Sequence, residues 1–315
     1  MVNYKNSNEN GRPLLSISNT EARILSHTLK SRASKKLRYG KRVQASHLIL
    51  SLQRKFPAVD MTAIDSYDRN PVTPYSLIGS DNRIQLEKTT VAPWCRICCL
   101  EISVKNRLGY EYGTGWLAGP RTVITAGHCV FDPDKEEWVE HIRVIPGRDN
   151  FTEPFPNAVT GTMRFSSTQE WVESGDPRYD IAVLHLDKSI GDIVGWFGFA
   201  ALDDTALRQY KIESAGYPSD SRFEGRRMAY HSGKVLAVDD RRIYYNVDTE
   251  KGNSGSPVFL YPTGRENEPV VVATHTNSEY ATPAHLNIEA NSAPRILPDV
   301  YDLIEEWIRQ DEGGS

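Results

Sequence analysis

An all-β fold closed by one helix is what this sequence predicts, and three observations carry that expectation. From about residue 90 onward the chain is a succession of short apolar or alternating runs split by Gly, Pro and Asp turns, the pattern of strands rather than helices. Ten such runs follow one another with almost no helical periodicity between them, as in a sandwich or a pair of barrels. Near the end, Val300, Leu303, Ile304, Trp307 and Ile308 fall on one face at 3.6-residue spacing, with Pro298 just ahead. That stripe predicts a C-terminal helix packed back on the β structure.

Taken in order, residues 1–17 are polar and read as disordered. Ser18-x-x-Glu21 is a capping-box pattern with Ile24, Leu25 and Leu29 behind it, so a short helix is expected near 19–30. Ala45, Leu48, Ile49 and Leu52 sit at i, i+3, i+4 and i+7 and predict a second helix near 43–55. Neither can bury much alone, so both need another surface. Pro57, Pro71 and Pro74 among polar residues mark 56–80 as a linker. The main boundary is therefore expected near 75, between a basic, partly helical pro- or regulatory segment (1–75) and a β domain (76–315). The expected strands lie at 97–104, 115–118, 121–125, 141–146, 158–165, 181–186, 212–216, 242–247, 258–261 and 270–275.

The chain has 315 residues, of which 39% are hydrophobic and 25% charged, enough for two core-bearing units. Its mean hydropathy is −0.49, and no apolar run is long enough for a transmembrane helix. The first twenty residues contain one lysine and no apolar core, so no signal peptide is visible and a cytoplasmic location is expected. Cys95, Cys98, Cys99 and Cys129 are too few for a disulfide scaffold, and the Cys95–Cys98 spacing lacks the second pair that a zinc site needs. No metal or cofactor is implied.

Charge is unevenly placed. Residues 1–60 hold twelve Lys/Arg and three Asp/Glu, a balance of +9, and the remaining 25 basic and 38 acidic residues give −13. Seven of the basic residues lie between Lys30 and Arg42 with no acid among them. Such a run is a solvated face, or it meets nucleic acid, an acidic protein partner or the acidic body of its own chain.

Three short stretches carry chemistry. Residues 248–259, DTEKGNSGSPVF, present Ser254 on a tight turn. A serine hydroxyl needs a base to take its proton and donors for the oxyanion that it creates. Gly252 has no side chain to keep its N–H from turning inward beside that of Ser254, and the two amides would form an oxyanion hole. His128 follows the apolar strand PRTVIT among small residues, where an imidazole can face a cleft. Asp180 is a lone carboxylate at the mouth of the apolar run IAVL. Burying it is costly unless it is paired, and an imidazole N–H would satisfy it while fixing the tautomer. Each residue alone has a plain structural explanation: a Gly/Ser hairpin, a surface histidine and a turn aspartate.

Together, TAGHC, YDIAVL and GNSGSPV, in the order His, Asp, Ser, resemble the chymotrypsin-like serine proteases. Within that fold the chain is most similar to the glutamyl endopeptidase branch, through 80–102, 113–129, 215–220, 247–259 and 291–308. The resemblance covers about residues 76–310 and leaves 1–75 unexplained. It implies two six-stranded antiparallel β-barrels with the site in the crevice between them. By position it implies His128 as general base, Asp180 as its orienting partner, Ser254 as nucleophile, and Gly252 with Ser254 as oxyanion donors. Thr249 and His275 fall where the branch binds an acidic P1 side chain, the hydroxyl and an imidazolium both donating to the carboxylate. Cys98 is the position expected, by resemblance, to pair with Cys129, with buried free thiols as the alternative in a reducing compartment.

A serine endopeptidase of the trypsin-like class, cutting after Glu or Asp and restrained by its N-terminal segment as in a zymogen, is the expected function. Its substrate would be a protein or peptide. Asp248 keeps a rival open, since it lies six residues before Ser254, where trypsin-type enzymes hold the carboxylate that selects Lys or Arg. A protease-like module without activity, binding through its basic arm, is a further alternative, but it has no need of all three catalytic residue types. A lipase or esterase would require a strand-turn-helix elbow that the strand-rich pattern does not offer.

Overall fold

The computed structural model describes residues 14–19, 77–78, 80–265, 267–276 and 290–313. The two helices expected near 19–30 and 43–55, the basic run and most of the expected linker lie outside the described residues. In chain order the strands are β1 (Ser16–Ser18), β2 (Ile84–Gln85), β3 (Ile97–Ser103), β4 (Glu111–Leu117), β5 (Thr122–Thr125), β6 (Phe131–Asp132), β7 (Glu137–Trp138), β8 (His141–Pro146) and β9 (Thr160–Thr162). They continue with β10 (Phe165–Thr168), β11 (Ala182–His185), β12 (Gly198–Phe199), β13 (Lys211–Gly216), β14 (Ala229–Val238), β15 (Arg242–Tyr245), β16 (Pro257–Leu260), β17 (Val270–Thr274) and β18 (Asn291–Pro294). Among the described residues, the helices α1 (Gln169–Ser174), α2 (Gly191–Val194), α3 (Asp204–Gln209) and α4 (Pro298–Gly313) accompany them.

Two curled sheets account for nearly all of these strands. The first runs β1-β10-β11-β5-β4-β3-β8-β9, and the second β12-β17-β16-β13-β14-β15-β18 with β2 added to β14. The mostly β architecture, the two curled sheets and the closing helix agree with a double-barrel fold of chymotrypsin type. Each sheet encloses its own core, with Leu100, Val123 and Leu184 in one and Ile243, Val258 and Val272 in the other. A third cluster, including Trp116, Phe197 and Phe259, lies between them, and Trp307 brings α4 into it. Packing two sheets face to face leaves loops from both at one crevice, so residues far apart in sequence can meet there.

The expected strand at 158–165 is broken in two. Thr162 accepts at Oγ1 from the Arg164 N–H, 3.0 Å away, and turns the chain between β9 and β10. The longest strand, β14, was not anticipated. His231, Ser232, Gly233 and Lys234 interrupt its apolar pattern because that part is only half-buried, and a bulge between Val235 and Ala237 shifts its register.

Part of the stretch expected to be disordered is a strand. β1 pairs antiparallel with β10, Leu14 is buried in the third cluster, and the Trp307 indole N–H donates to Ser16 Oγ at 2.9 Å. The Asn19 amide closes the strand by donating to the Met163 carbonyl at 2.6 Å and accepting from the Phe165 N–H at 3.1 Å. Strand addition of this kind satisfies an edge that would otherwise be open.

All four cysteines are buried free thiols, so the expected Cys98–Cys129 pairing is not made. Cys98 sits in mid-strand opposite Gly115 and Pro146. Cys129 faces Gly113 instead: a Cβ added at Gly113 would stand 3.2 Å from its Sγ. The position that could bridge to Cys129 is therefore occupied by a glycine.

A buried polar chain fixes α4 to the first sheet. His185 Nδ1 lies 2.8 Å from Asp311 Oδ1, its Nε2 lies 2.9 Å from Ser166 Oγ, and Thr122 Oγ1 donates to Asp311 Oδ2 at 2.6 Å.

Candidate active site

The register of the first sheet brings His128 and Asp180 together. β5 and β11 run antiparallel with Thr125 opposite Ala182, so the end of one strand meets the start of the other. Beyond Thr125 the chain enters a 3-10 turn, Gly127–Cys129, which carries the imidazole out of the strand. Gly127 is required there, because a Cβ would stand 2.7 Å from Trp171 Cδ1 and 2.9 Å from Asp180 Oδ1. Another 3-10 turn, Pro177–Tyr179, is capped by the Asp176 side chain and delivers Asp180 fully buried at the mouth of β11. The Asp180 carboxylate accepts from the His128 backbone N–H at 2.9 Å and from His128 Nδ1 at 2.8 Å. One oxygen thus anchors the main chain and the other orients the ring.

The His128 side chain keeps 31% of its surface exposed, and Trp171 supports it edge-on at 6.3 Å between ring centroids. Burial opposes its protonation, but the attraction of Asp180 and the neighbouring Cys129 outweighs that and raises its pKa above the usual histidine value. A base of this kind is stronger than free imidazole.

Ser254 lies on a turn that only glycines can make on either side. Gly252 and Gly255 have φ of 98° and 89°, and a Cβ on Gly255 would overlap the Thr114 carbonyl oxygen. Thr114 fixes the turn from β4: its N–H donates to the Ser254 carbonyl and its Oγ1 to the Gly252 carbonyl, both at 2.8 Å. The Lys251 carbonyl is held by the Ser219 N–H at 2.6 Å and Oγ at 3.0 Å. In a trans peptide the N–H points opposite to the carbonyl, so this contact turns the Gly252 N–H away from Ser219. Among the described residues neither the Gly252 N–H nor the Ser254 N–H has a hydrogen-bond acceptor. The Ser254 hydroxyl donates to the Thr276 carbonyl at 3.1 Å rather than to His128. The structure therefore joins His128 to Asp180 directly, and places Ser254 next to Cys129, whose Sγ is 3.8 Å from the Ser254 carbonyl.

Thr249 and His275 are both buried. Tyr245 O–H and His275 Nδ1 are 2.6 Å apart. Burial, then the nearby Arg242 guanidinium, pushes the His275 pKa down to about 3. The expected imidazolium is thus a neutral imidazole. Asp248 is engaged elsewhere: its carboxylate accepts from the Ile78 N–H at 3.0 Å and the Asn82 N–H at 2.9 Å.

Several residues of this site were missed by sequence reasoning. Trp171 and Tyr245 carry no motif, and Thr114 and Ser219, though inside the segments 113–129 and 215–220, show their contacts to the Ser254 turn only in the fold. Arg242 had a signal, a cation opening the apolar run IYY. Among the described residues no group of three His, Cys, Asp or Glu side chains is placed to hold a metal ion.

This fold and site define a serine hydrolase of the two-barrel kind that cleaves peptide bonds, a serine endopeptidase. Residues 113–266 match the model of the trypsin-like peptidase domain. The glutamyl endopeptidase of Bacillus licheniformis is 33% identical over 239 residues, 75% of this chain and 70% of the relative. A protein of Bacillus subtilis named extracellular metalloprotease is 32% identical over 237 residues, 75% and 71% of the two chains. A solved structure of a Glu endopeptidase in complex with MPD superposes with a TM-score of 0.63 at 27% identity, covering 74% of this chain and all of that one. The chain belongs to the glutamyl endopeptidase branch of the trypsin-like serine proteases. The comparison also corrects the expected cytoplasmic location, since the relative that is 32% identical is extracellular by name.

Proposed function

We propose that this protein cuts peptide bonds after glutamate or aspartate through His128, Asp180 and Ser254, with residues 76–315 as the catalytic domain and 1–75 as a restraining segment. The observation that carries the reading is the two-point hold of Asp180 on His128, together with the Gly252 and Ser254 amides, which have no acceptor among the described residues. Rotation of the Ser254 hydroxyl from the Thr276 carbonyl toward His128 Nε2 starts the reaction. The imidazole takes the proton as Oγ attacks the scissile carbonyl carbon. The Gly252 and Ser254 N–H groups receive the oxyanion, each contributing on the order of 10²–10³ in rate. The protonated imidazole then gives its proton to the leaving amine, the C–N bond breaks, and water, deprotonated by the same base, releases the acyl group. Asp180 holds the tautomer that leaves Nε2 free to accept and stabilises the imidazolium.

Two observations favour an acidic P1 side chain over Lys or Arg. Asp248 is buried, and each of its oxygens already accepts from a backbone amide, that of Ile78 or Asn82, which tells against its serving a basic side chain. Thr249 and His275 supply donors of the kind that a carboxylate accepts.

For the restraint, the support is β1, which holds residues 14–18 on the same sheet as the candidate base. A basic run between Lys30 and Arg42 would add attraction to the acidic remainder, and an acidic protein partner or nucleic acid competing for that run would release it. The test is a panel of peptides differing only at P1, cut by the full chain. Glu and Asp should be cleaved faster than Lys and Arg. A preference for Arg that Asp248→Ser abolishes would refute the acidic reading.

A further inference from the structure

We propose that the positive charge balancing an acidic P1 side chain belongs to Arg242, set behind the histidine wall, and that His275 acts only as a neutral donor. This inference rests on the acidic-P1 reading above and names the residue that would make it work. A carboxylate leaving water needs more than neutral donors: without a compensating positive field its burial is strongly unfavourable. His275 does not provide one. It is 2% exposed, its Nδ1 is 2.6 Å from Tyr245 O–H, and its pKa is pushed down to about 3. If the tyrosine O–H donates to Nδ1, the one proton of the neutral ring sits on Nε2.

Arg242 is the cation on the same strand as Tyr245. It is 3% exposed, and its guanidinium is aimed at the residues around the site rather than at solvent. Nη2 donates to Thr276 Oγ1 at 2.9 Å and Ser292 Oγ at 2.8 Å, and Nη1 donates to the Pro177 carbonyl. Thr276 follows His275 in the chain, and Pro177 opens the turn that delivers Asp180. A guanidinium so held is charged at every pH at which the enzyme works. Arginine also keeps its position under desolvation, because its donors are fixed in a plane.

The charge of Arg242 therefore does two things at once. It adds to burial, the larger effect, in keeping His275 neutral, so the ring does not compete for protons with the substrate. It also supplies a field that does not titrate. Among the described residues the groups facing the pair are Tyr245, His128 and Asp180 around His275, and Asp180, Tyr244, Tyr245 and Asp239 around Arg242. Burial pushes both tyrosines well above their usual range, so neither titrates near neutrality.

The experiment compares matched peptides with P1 Glu and P1 Gln, cut by the full chain from pH 6 to pH 9. The ratio of their kcat/KM cancels the titration of His128, any restraint by the N-terminal segment and any general loss of catalytic power. The glutamate side chain is ionised throughout, its ordinary pKa being about 4.3. The ratio should favour Glu and stay flat. A pocket charged by an imidazolium would instead lose its preference as pH passes about 6.5, and that result overturns the proposal without any variant. In Arg242→Gln the ratio should fall by about tenfold or more, the scale of a unit charge acting through protein at an effective dielectric near 20. Arg242→Lys should restore much of it. An unchanged ratio in folded Arg242→Gln refutes the role of Arg242. A wild-type ratio at or below one refutes the acidic-P1 reading itself, and this inference with it. Should Arg242→Gln not fold, the wild-type pH series and Arg242→Lys still decide the matter.

Discussion

Replacing Gly113 by cysteine should create a disulfide that the wild-type protein lacks. The Cβ of residue 113 would stand 3.2 Å from Cys129 Sγ, and an S–S bond of about 2.04 Å sets the corresponding distance near 3 Å. That separation already suits the bond. Ile102 Cδ1, 3.1 Å from the same point, is the end of a flexible side chain and needs to give only a few tenths of an ångström. The new bond closes a loop of about 16 residues, for which the chain-entropy relation gives about 3 kcal/mol of stabilisation. For a domain of this size each kcal/mol moves the thermal midpoint by about 2–4 °C, so Gly113→Cys should melt about 6–12 °C higher when oxidised. Calorimetry with and without reductant measures the shift, and thiol titration in denaturant measures the bond. Wild type should show four thiols and the oxidised variant three. Five thiols after air oxidation, or a midpoint that reductant does not lower, would show that the Gly113–Cys129 geometry is misread.

Ser254→Ala should reduce peptide cleavage by about 10⁶-fold while leaving the protein folded, and a fluorophosphonate probe should label Ser254 in wild type and nothing in the variant. Asp180→Asn should cost about 10⁴ in kcat by holding the wrong tautomer; a loss below tenfold contradicts the orienting role. The raised pKa of His128 has opposite effects on activity and stability. Only the neutral imidazole is a base, so kcat/KM should rise with pH to a midpoint above 6.5. Its pairing with Asp180 stabilises the protonated form, a contribution fully present below the unfolded pKa of about 6.5 and lost as pH climbs through the folded value. The melting temperature of Ser254→Ala, which cannot digest itself, should accordingly fall over the window in which wild-type activity rises.

Much of this molecule could be read from its sequence, for a physical reason. A strand buried on one or both faces must show its burial as apolar residues, so β3, β5, β8, β11, β13, β16 and β17 were all legible within a residue or a few of their ends. The C-terminal helix was legible through its stripe. β14 was not, because a half-buried, bulged strand has no clean period. β1 was missed because most of its stability comes from a partner 150 residues away in the chain, and three residues carry no pattern. The motifs around His128, Asp180 and Ser254 were local and therefore visible. What supports them is not local: Thr114 reaches the Ser254 turn from the other sheet, and Trp171 and Tyr245 come from elements far off in the chain. The charge of His275 was misjudged for a similar reason, since burial and a neighbouring guanidinium decide it and neither is written beside residue 275.

The buried chain linking Ser166, His185 and Asp311 has a wider bearing. Anyone scanning this protein for hydrolases by distance alone would retrieve it, with separations of 2.9 Å and 2.8 Å, ahead of the constellation in which Ser254 points elsewhere. Yet Ser166 lies in mid-strand, bonded to neighbours on both sides, and all three side chains are sealed from solvent. No carbonyl carbon can approach it. The protein thus carries its own control experiment, two arrangements of the same three residue types. Access, more than the spacing of serine, histidine and aspartate, separates a tool from a fastener.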